Sequence, residues 1–315
     1  MKRPFLHEHS DFETICEAAR DETKASIQVV EKDYWIMHVI WSLVKSGYHF
    51  ELKGGTSLSK GWGVINRFSE DVDIHVHPPS GLKVHTGKNH DKPRHRKSRA
   101  SFFDWLVNHI EVPGAISIER DVEWEDEKTR NCGIKIEYQA RFPVEPSIKP
   151  FVLLEVGFAQ VEPNGPVTIS SWVSEIAAKA NLEIEDNRAT EVRCYFPEYT
   201  FVEKLEAISR KYKREQEQNL LPSNFIRHYY DVYKLLGLER VQKFIGSKEY
   251  LEHRSEMFPG EEIGSLMTDD AFLLSDVETK RRYEAEYNSK APMYYRDRPS
   301  FEDILKGIKK HLDKL

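Results

Sequence analysis

The stretch Lys53-Gly54-Gly55-Thr56-Ser57-Leu58 follows a strand-like segment at 49–52 and leads into a short helix that we predict to begin at Thr56. Shortly after it, Arg67-Phe68-Ser69-Glu70-Asp71-Val72-Asp73 continues into Ile74-His75-Val76. From Asp71 onward polar and apolar residues alternate, which is the period of a β-strand. The two stretches therefore predict two strands connected through a glycine turn and a short helix.

The glycine turn has the composition of an anion-binding site. Gly54 and Gly55 allow backbone N–H groups to approach a phosphate, and the start of a helix at Thr56 and Ser57 adds a favourable dipole. A tight strand-to-helix turn without a ligand is the alternative, and two glycines alone favour it. We predict nucleotide binding at these four residues because of the carboxylates that follow them.

Asp71 and Asp73 converge in the predicted strand. They are two residues apart, so their side chains project from the same face. Their carboxylates repel each other unless a cation lies between them, and Mg²⁺ (or Mn²⁺) binds carboxylates together with substrate phosphates. An isolated D-x-D is usually a solvated strand end. A phosphate cradle followed by a metal site is instead typical of enzymes that transfer phosphoryl or nucleotidyl groups in line.

A third carboxylate would complete a two-metal site. Residues 150–158 form a nearly continuous apolar run, as in a strand buried on both faces, and Glu155 interrupts it. A buried carboxylate needs a cation or a proton, so Glu155 is the predicted third ligand. Glu137 is its competitor, but it lies in an alternating segment that can place it in solvent.

The composition indicates a folded, reduced protein. The 315 residues include 16 Phe, 14 Tyr and 6 Trp, and the net charge is -6. Cys16, Cys132 and Cys194 form neither a zinc motif nor a disulfide framework, and no apolar run approaches the ~20 residues that span a bilayer. We expect a cytoplasmic protein without membrane contact, in which nucleic acid binds only to a local patch.

Residues 83–99 supply such a patch. They hold seven Lys or Arg residues and three histidines, with Asp91 as the sole acid. A segment of this charge can steer a polyanion to a nearby site. We predict that Lys92, Arg94, Arg96 and Lys97 bind the acceptor, and a solvated mobile loop is the alternative.

The pattern of the sequence changes after Pro197. Residues 1–195 mix helical and strand periods, whereas residues 196–315 are mainly helical, which predicts an α+β protein with two domains. The predicted helices are 11–20, 30–45, 98–110, 171–181, 199–217, 223–237, 239–245, 276–288 and 300–314, and the later strands are 116–123, 133–142 and 150–159. In the helical part, spacing alone makes Lys204 a surface lysine and pairs Asp231 with Arg227 four residues away.

Five motifs together resemble the AbiEii/AbiGii nucleotidyltransferase toxins, a family that includes the MenT-like proteins. The motifs span residues 31–233 and occur in the family's order. They are Glu31-Lys32-Asp33-Tyr34; Leu52-Lys53-Gly54-Gly55-Thr56-Ser57-Leu58; Arg67-Phe68-Ser69-Glu70-Asp71-Val72-Asp73; Glu203-Lys204-Leu205-Glu206-Ala207-Ile208; and Arg227-His228-Tyr229-Tyr230-Asp231-Val232-Tyr233.

This resemblance implies a DNA-polymerase-β-like core, a mixed sheet with flanking helices, followed by a helical region that contributes to the active site. It implies a toxin of a toxin–antitoxin system, linked to phage defence and partnered by a nearby-encoded AbiEi-like antitoxin. The implied reaction moves a nucleoside monophosphate from an NTP to an acceptor such as the tRNA 3′ end. Ser69 would contact the triphosphate, Asp71 and Asp73 would hold Mg²⁺, and Lys204 and Asp231 would complete the site.

Two other functions remain open at the level of sequence. A D-x-D glycosyltransferase would use the aspartates to hold the metal of a nucleotide sugar, although the Gly-Gly-Thr turn upstream favours nucleotidyl transfer. A catalytically inactive member would bind RNA or a protein partner through residues 83–99, which the intact Asp71, Asp73, Lys204 and Asp231 argue against.

Overall fold

A computed structural model of the protein describes residues 3–143, 148–222 and 224–315. The chain divides into two compact units. The first contains the residues up to Gly63 together with Arg67–Tyr195, and the second contains Val64–Asn66 together with Phe196–Leu315. The first unit mixes strands and helices and the second is helical, so the predicted α+β fold is confirmed.

The first unit is built on a sheet of seven strands in the order β3-β4-β5-β2-β1-β7-β6. The strands are β1 (Phe50–Lys53), β2 (Asp71–Val76), β3 (Ala115–Asp121), β4 (Asn131–Tyr138), β5 (Phe151–Gly157), β6 (Asn164–Ile169) and β7 (Ala189–Tyr195). The sheet is mixed, because β2 pairs antiparallel with β1 but parallel with β5. These pairings put β2 between the glycine turn and the strand of Glu155.

The two faces of β2 differ in character. Val72, Ile74 and Val76 are buried in the core, as expected for one face of a strand of period two. Asp71, Asp73 and His75 alternate with them and so project from the opposite face. The central strand therefore presents its polar side chains together on one face of the sheet.

Helices pack on this sheet and on one another. The first unit contains α1 (Phe12–Thr23), α2 (Ile27–Lys45), α3 (Gly54–Thr56), α4 (Pro93–His109) and α5 (Trp172–Lys179). α2 begins where the Ser26 hydroxyl accepts a hydrogen bond from the Val29 N–H, and it packs against β7. α3 continues as a π-helical turn over Ser57–Gly61.

The second unit consists of packed helices. They are α6 (Pro197–Gln218), α7 (Arg227–Leu236), α8 (Glu239–Phe244), α9 (Lys248–Met257), α10 (Asp270–Leu273), α11 (Val277–Ser289) and α12 (Phe301–Lys309). α6 packs against α7, α8, α9 and α10, and α7 packs against α12. Within the described part of the chain, no helix combines the length and apolarity needed to cross a bilayer.

Candidate active site

Gly54 brings the glycine turn against the carboxylate of Asp73. Its φ of +69° lies in the left-handed region, and a Cβ at this position would overlap Oδ2 of Asp73. The approach follows from the register, in which Lys53 at the end of β1 pairs with Asp73 in β2. A glycine is therefore required here both for the backbone angle and for the space that the carboxylate occupies.

The second glycine lies against the side chains that precede β2. A Cβ on Gly55 would lie 2.5 Å from Ser69 Oγ and 2.9 Å from Nη2 of Arg67. Both side chains are buried. The structure thus brings Gly54, Gly55, Ser69 and Asp73 into one location, with the Arg67 guanidinium beside them.

The hydroxyls of Thr56 and Ser57 are turned away from this location. Thr56 Oγ1 donates to the backbone oxygen of Asp71 at 2.8 Å, and Ser57 Oγ donates to that of Tyr195 at 3.4 Å. Both residues are buried. Their side chains therefore hold the turn against β2 and β7, and their hydroxyl protons are already used in these contacts.

Asp71, Asp73 and Glu155 are three carboxyl groups of neighbouring strands beside the turn. Asp73 and Glu155 are register partners in the parallel pair β2–β5, so their side chains lie next to each other on one face. Burial, together with the charges of Asp73 and Asp71, raises the pKa of Glu155 to about 8. Glu137 is exposed on β4 and pairs with Phe151 instead.

The donor chemistry of this group suits a divalent cation, although its three side chains do not bring one oxygen each within 4.8 Å of the others. Its donors are hard carboxylate oxygens, which Mg²⁺ and Mn²⁺ prefer. Burial and repulsion by the charges of Asp73 and Asp71 favour a proton on Glu155. A cation bound at Asp71, Asp73 and Glu155 would relieve that repulsion.

Two lysines lie close to these carboxylates. The spacing of the sequence did not single them out as functional. Lys149 Nζ lies 2.6 Å from Asp71 Oδ1. Lys32 is completely buried in α2, and its ammonium donates to Glu70 Oε1 at 2.6 Å and to the backbone oxygen of Lys149 at 2.7 Å. Burial lowers the pKa of Lys32 to about 8, although Glu70 favours its charged form.

A second buried ion pair connects α2 to the turn after Gly54. Lys60 Nζ lies 2.7 Å from Asp33 Oδ1, and Asp33 Oδ2 also accepts from the Trp172 N–H at 3.0 Å. The signal in the sequence is that Glu31, Lys32 and Asp33 are consecutive charges in the most apolar helix of the first unit. Such charges must be paired when buried, which indicates a positioning role for this motif.

Replacing Gly54 by alanine tests the arrangement of the turn. We expect a loss of about 1–2 kcal/mol in the free energy of unfolding, because an L-residue is strained at this φ. We also expect a loss of about 10²-fold in transfer, because the new Cβ displaces the Asp73 carboxylate. Melting temperature and turnover are measured on the same preparation.

Gly63→Ala is the matched control. Gly63 has a φ of +63°, but nothing lies within 4 Å of a Cβ built there. Gly63→Ala should lose about as much free energy of unfolding as Gly54→Ala does, but it should retain the transfer activity of the wild type. Equal losses of activity in the two variants would contradict a role for Gly54 in positioning Asp73.

Lys204 and Asp231 form a buried pair in the second unit. Asp231 is fully buried, the Lys204 side chain is 12% exposed, and Lys204 Nζ lies 3.5 Å from Asp231 Oδ2. Nδ1 of His228, also buried, is 3.5 Å from the same ammonium. The expectation of a surface lysine and a surface ion pair was wrong, since α6 and α7 pack directly against each other and bury both groups.

The basic segment is partly helical. α4 begins at Pro93, five residues before the predicted start, because proline is favoured in the first turn of a helix. Lys92, Arg94, Arg96 and Lys97 are exposed at its N-terminal end. Arg99 is fully buried and donates to the backbone oxygens of His85, His90, Lys128 and Thr129, so it anchors the neighbouring loops.

Comparisons with known proteins give one family and two distant structures. Residues 35–307 match the family described as nucleotidyl transferase AbiEii toxin, type IV toxin–antitoxin system. The solved structure of MenT4, a nucleotidyltransferase toxin from Mycobacterium tuberculosis, is 14% identical, with a TM-score of 0.40 over 94% of this chain and 97% of that one. An antigenic nucleotidyltransferase-like protein from Paracoccidioides brasiliensis is also 14% identical, with a TM-score of 0.38 over 88% of this chain and 98% of that one. Among curated proteins, no sequence is significantly similar.

Proposed function

Because the chain belongs to the AbiEii nucleotidyltransferase toxin family of type IV toxin–antitoxin systems, we propose that it transfers a nucleoside monophosphate from an NTP to the 3′ end of tRNA. Family membership makes it a nucleotidyltransferase rather than a D-x-D glycosyltransferase. The observation that carries the proposal is the contact of Gly54 with Asp73, which puts a phosphate cradle and a carboxylate group in one location.

The triphosphate is held by the glycine turn. Gly54 and Gly55 have no side chains and so admit phosphate oxygens to the backbone, and the Ser69 hydroxyl beside Gly55 donates a hydrogen bond to them. The Arg67 guanidinium, close to the same glycine, adds positive charge. The backbone of Thr56 and Ser57 takes part, while their hydroxyls hold the turn in place.

Asp71, Asp73 and Glu155 would hold Mg²⁺ or Mn²⁺. A divalent cation bound there would neutralise the triphosphate and lower the pKa of the attacking hydroxyl. Lys149 keeps the Asp71 carboxylate in place through their 2.6 Å ion pair. Lys32 and Glu70 fix the backbone of Lys149 in turn, so these three residues are positioning residues.

The reaction is an in-line displacement at the α-phosphorus. The acceptor oxygen forms a bond to this phosphorus and loses its proton, while the bond to the oxygen that bridges to the β-phosphate breaks and pyrophosphate leaves. Lys204 neutralises the charge that develops on the leaving pyrophosphate, and Asp231 holds the lysine. The support for this role is the resemblance together with the burial of the pair.

The exposed end of α4 binds the acceptor. Lys92, Arg94, Arg96 and Lys97 are four exposed cations within six residues, a density that suits a phosphate backbone. The cognate antitoxin is an AbiEi-like protein encoded nearby, and release from it would allow the toxin to arrest growth as a defence against phage.

Charge reversal at α4 should weaken RNA binding without weakening NTP binding. We expect the variant with Lys92, Arg94, Arg96 and Lys97 changed to Glu to bind tRNA less tightly and with a flatter salt dependence, because each lost phosphate contact lowers the slope by about 0.7–0.9. Glutamates also suit the N-terminal end of a helix, so the fold should be retained. Affinity is measured by fluorescence anisotropy over a salt series.

A smaller variant with a matched control makes this test sharper. Lys92→Glu with Lys97→Glu is compared with Lys243→Glu and Lys248→Glu, which alter exposed lysines of the second unit. Both double variants change the net charge equally. An unchanged salt slope in the Lys92/Lys97 variant, or equal changes of slope in the two double variants, would mean that α4 does not bind the acceptor.

Incubating the purified protein with each NTP in turn and with total tRNA tests the function directly. Mass spectrometry of the RNA should show a gain of whole nucleotide residues with at least one NTP, together with release of pyrophosphate. A gain of mass on the protein itself, or on no component, would contradict tRNA as the acceptor.

A further inference from the structure

A second group of potential metal ligands lies on β1 and β2, separate from the three carboxylates. Glu51 Oε2 is 2.9 Å from Nδ1 of His75, and Glu51 Oε1 is 2.9 Å from Nε2 of His77. One donor atom from each of the three residues lies within 4.8 Å of the other two. In the part of the chain that the structure describes, this is the only such group of three identified.

The strand register explains why these side chains meet. Glu51 in β1 pairs with His75 in the antiparallel strand β2, so both project from the same face. His77 follows the end of β2, and its N–H donates to the backbone oxygen of His49. Two histidines separated by one residue and a carboxylate on the neighbouring strand thus converge on one point.

We propose that Glu51, His75 and His77 form a binding site for a divalent transition-metal ion, with Zn²⁺ as the ion it would take. Two imidazoles and a carboxylate are a common set of protein ligands for zinc, and they leave a fourth position for water or another ligand. Mg²⁺ prefers oxygen donors and would be held poorly by the histidines. The two metal sites therefore differ in chemistry.

The distances suit a small tetrahedral ion. Zinc–ligand bonds of about 2.0–2.1 Å place neighbouring donor atoms about 3.3 Å apart. The two carboxylate–imidazole distances of 2.9 Å are close to that value. The rings of His75 and His77 are already adjacent, with their centroids 4.4 Å apart.

The present partners of these groups leave them available to an ion. Nδ1 of His75 is buried and has no well-directed hydrogen bond among the described residues, although Glu51 is near. Arg193 pairs with Glu51 in the register of β1 and β7, but its guanidinium donates to Asn164.

The site is accessible from solvent. Glu51 and His77 line a cleft of about 690 Å³ at this end of the first unit, and the His77 side chain is 49% exposed. An ion entering through this cleft would connect β1 to β2. His75 is two residues beyond Asp73 in β2, so the connection would stabilise the strand that carries the catalytic carboxylates without using them as ligands.

Zn²⁺ binding in the presence of excess Mg²⁺ tests the proposal. Competition with a chromogenic zinc chelator should reveal one equivalent of tightly bound Zn²⁺, since Mg²⁺ occupies the carboxylate group but not the imidazoles. His77→Ala and Glu51→Gln should each weaken binding at least about tenfold. His49→Ala is the matched control, because His49 is exposed and lines the same cleft.

Two further readouts do not depend on enzymatic activity. Zn²⁺ should raise the melting temperature of the wild type and of His49→Ala, but not of His77→Ala. Co²⁺ in place of Zn²⁺ should give the visible absorption of a four-coordinate nitrogen and oxygen site, which His77→Ala abolishes. Zinc binding that is equal in the wild type, His77→Ala and Glu51→Gln would overturn the proposal, as would binding lost equally in His49→Ala.

Discussion

Replacing Asp73 by asparagine should lower nucleotidyl transfer at least about 10²-fold and leave the protein folded. Asp73 lies between Gly54 and Glu155, so its carboxylate is next to both the triphosphate cradle and the third acid. Asparagine keeps the shape but removes the charge that a metal needs. Because a protonated Glu155 can hydrogen-bond to asparagine as well as to aspartate, the melting temperature at neutral pH should change little.

Glu137→Gln is the control for this substitution. It makes the same chemical change on an exposed carboxyl of the same sheet, and we expect it to leave transfer unchanged. Asp71→Asn is a less clean test, because it also breaks the ion pair with Lys149 and should cost stability. Near-wild-type turnover of Asp73→Asn would remove this residue from the active site.

Lys204→Arg should reduce transfer by at least about 10²-fold, equivalent to ~2.7 kcal/mol of transition-state stabilisation. The lysine ammonium is largely buried between Asp231 and His228, each 3.5 Å away. A guanidinium keeps the charge but is broader, so it should fit this space poorly. Steady-state kinetics measure the loss, and the melting temperature reports on the fold.

Lys213→Arg is the matched control because it makes the same change at an exposed position of the same helix. It should behave as the wild type does. Full activity of Lys204→Arg and of Lys204→Ala would mean that the helical unit does not take part in transfer.

The burial of Asp231 changes what its removal should do. For a surface ion pair, Asp231→Ala would leave stability nearly unchanged. Asp231 is instead fully buried, and removing one partner of a buried pair costs about 3–5 kcal/mol. We therefore expect Asp231→Ala to lower both stability and activity, whereas Asp231→Asn should retain more of the stability.

The sequence predicted the central strands well because their periods are simple. β2 alternates without interruption, and its bounds of Asp71–Val76 are those expected. β6 was missed because it begins with Asn-Gly-Pro, residues that usually mark turns, and it can hold Pro166 only because it is an edge strand. β7 was missed because Glu191 has a φ of +58° and breaks the alternation.

The site residues divide in the same way. Asp71, Asp73 and Glu155 could be grouped in advance because two residues in one strand share a face and a lone acid in an apolar run must be compensated. Lys149 and Arg67 could not, because their contacts depend on which strands become neighbours. Thr56 and Ser57 were predicted to bind the nucleotide, but that their hydroxyls would donate to backbone oxygens of β2 and β7 could not be read from the sequence.

The family resemblance inferred from five short motifs is confirmed. Three of these motifs contribute the glycine turn, the carboxylates of β2 and the buried charged residues of α2. The other two contribute Lys204 and Asp231, which form one buried pair. Within each unit, motifs that are separate in the sequence therefore become physical neighbours.

The central claim is that the glycine turn and the carboxylates of β2 transfer a nucleotide, and the fate of the α-phosphate tests it most directly. Purified wild-type protein and Asp73→Asn are incubated with Mg²⁺, tRNA and NTPs labelled at either the α- or the γ-phosphate. With the wild type, we predict that the α-label appears on the RNA and that the γ-label appears only in pyrophosphate. With Asp73→Asn, we predict neither labelled RNA nor labelled pyrophosphate. Transfer of the γ-label to the RNA, or α-label transfer that persists in Asp73→Asn, would contradict the account.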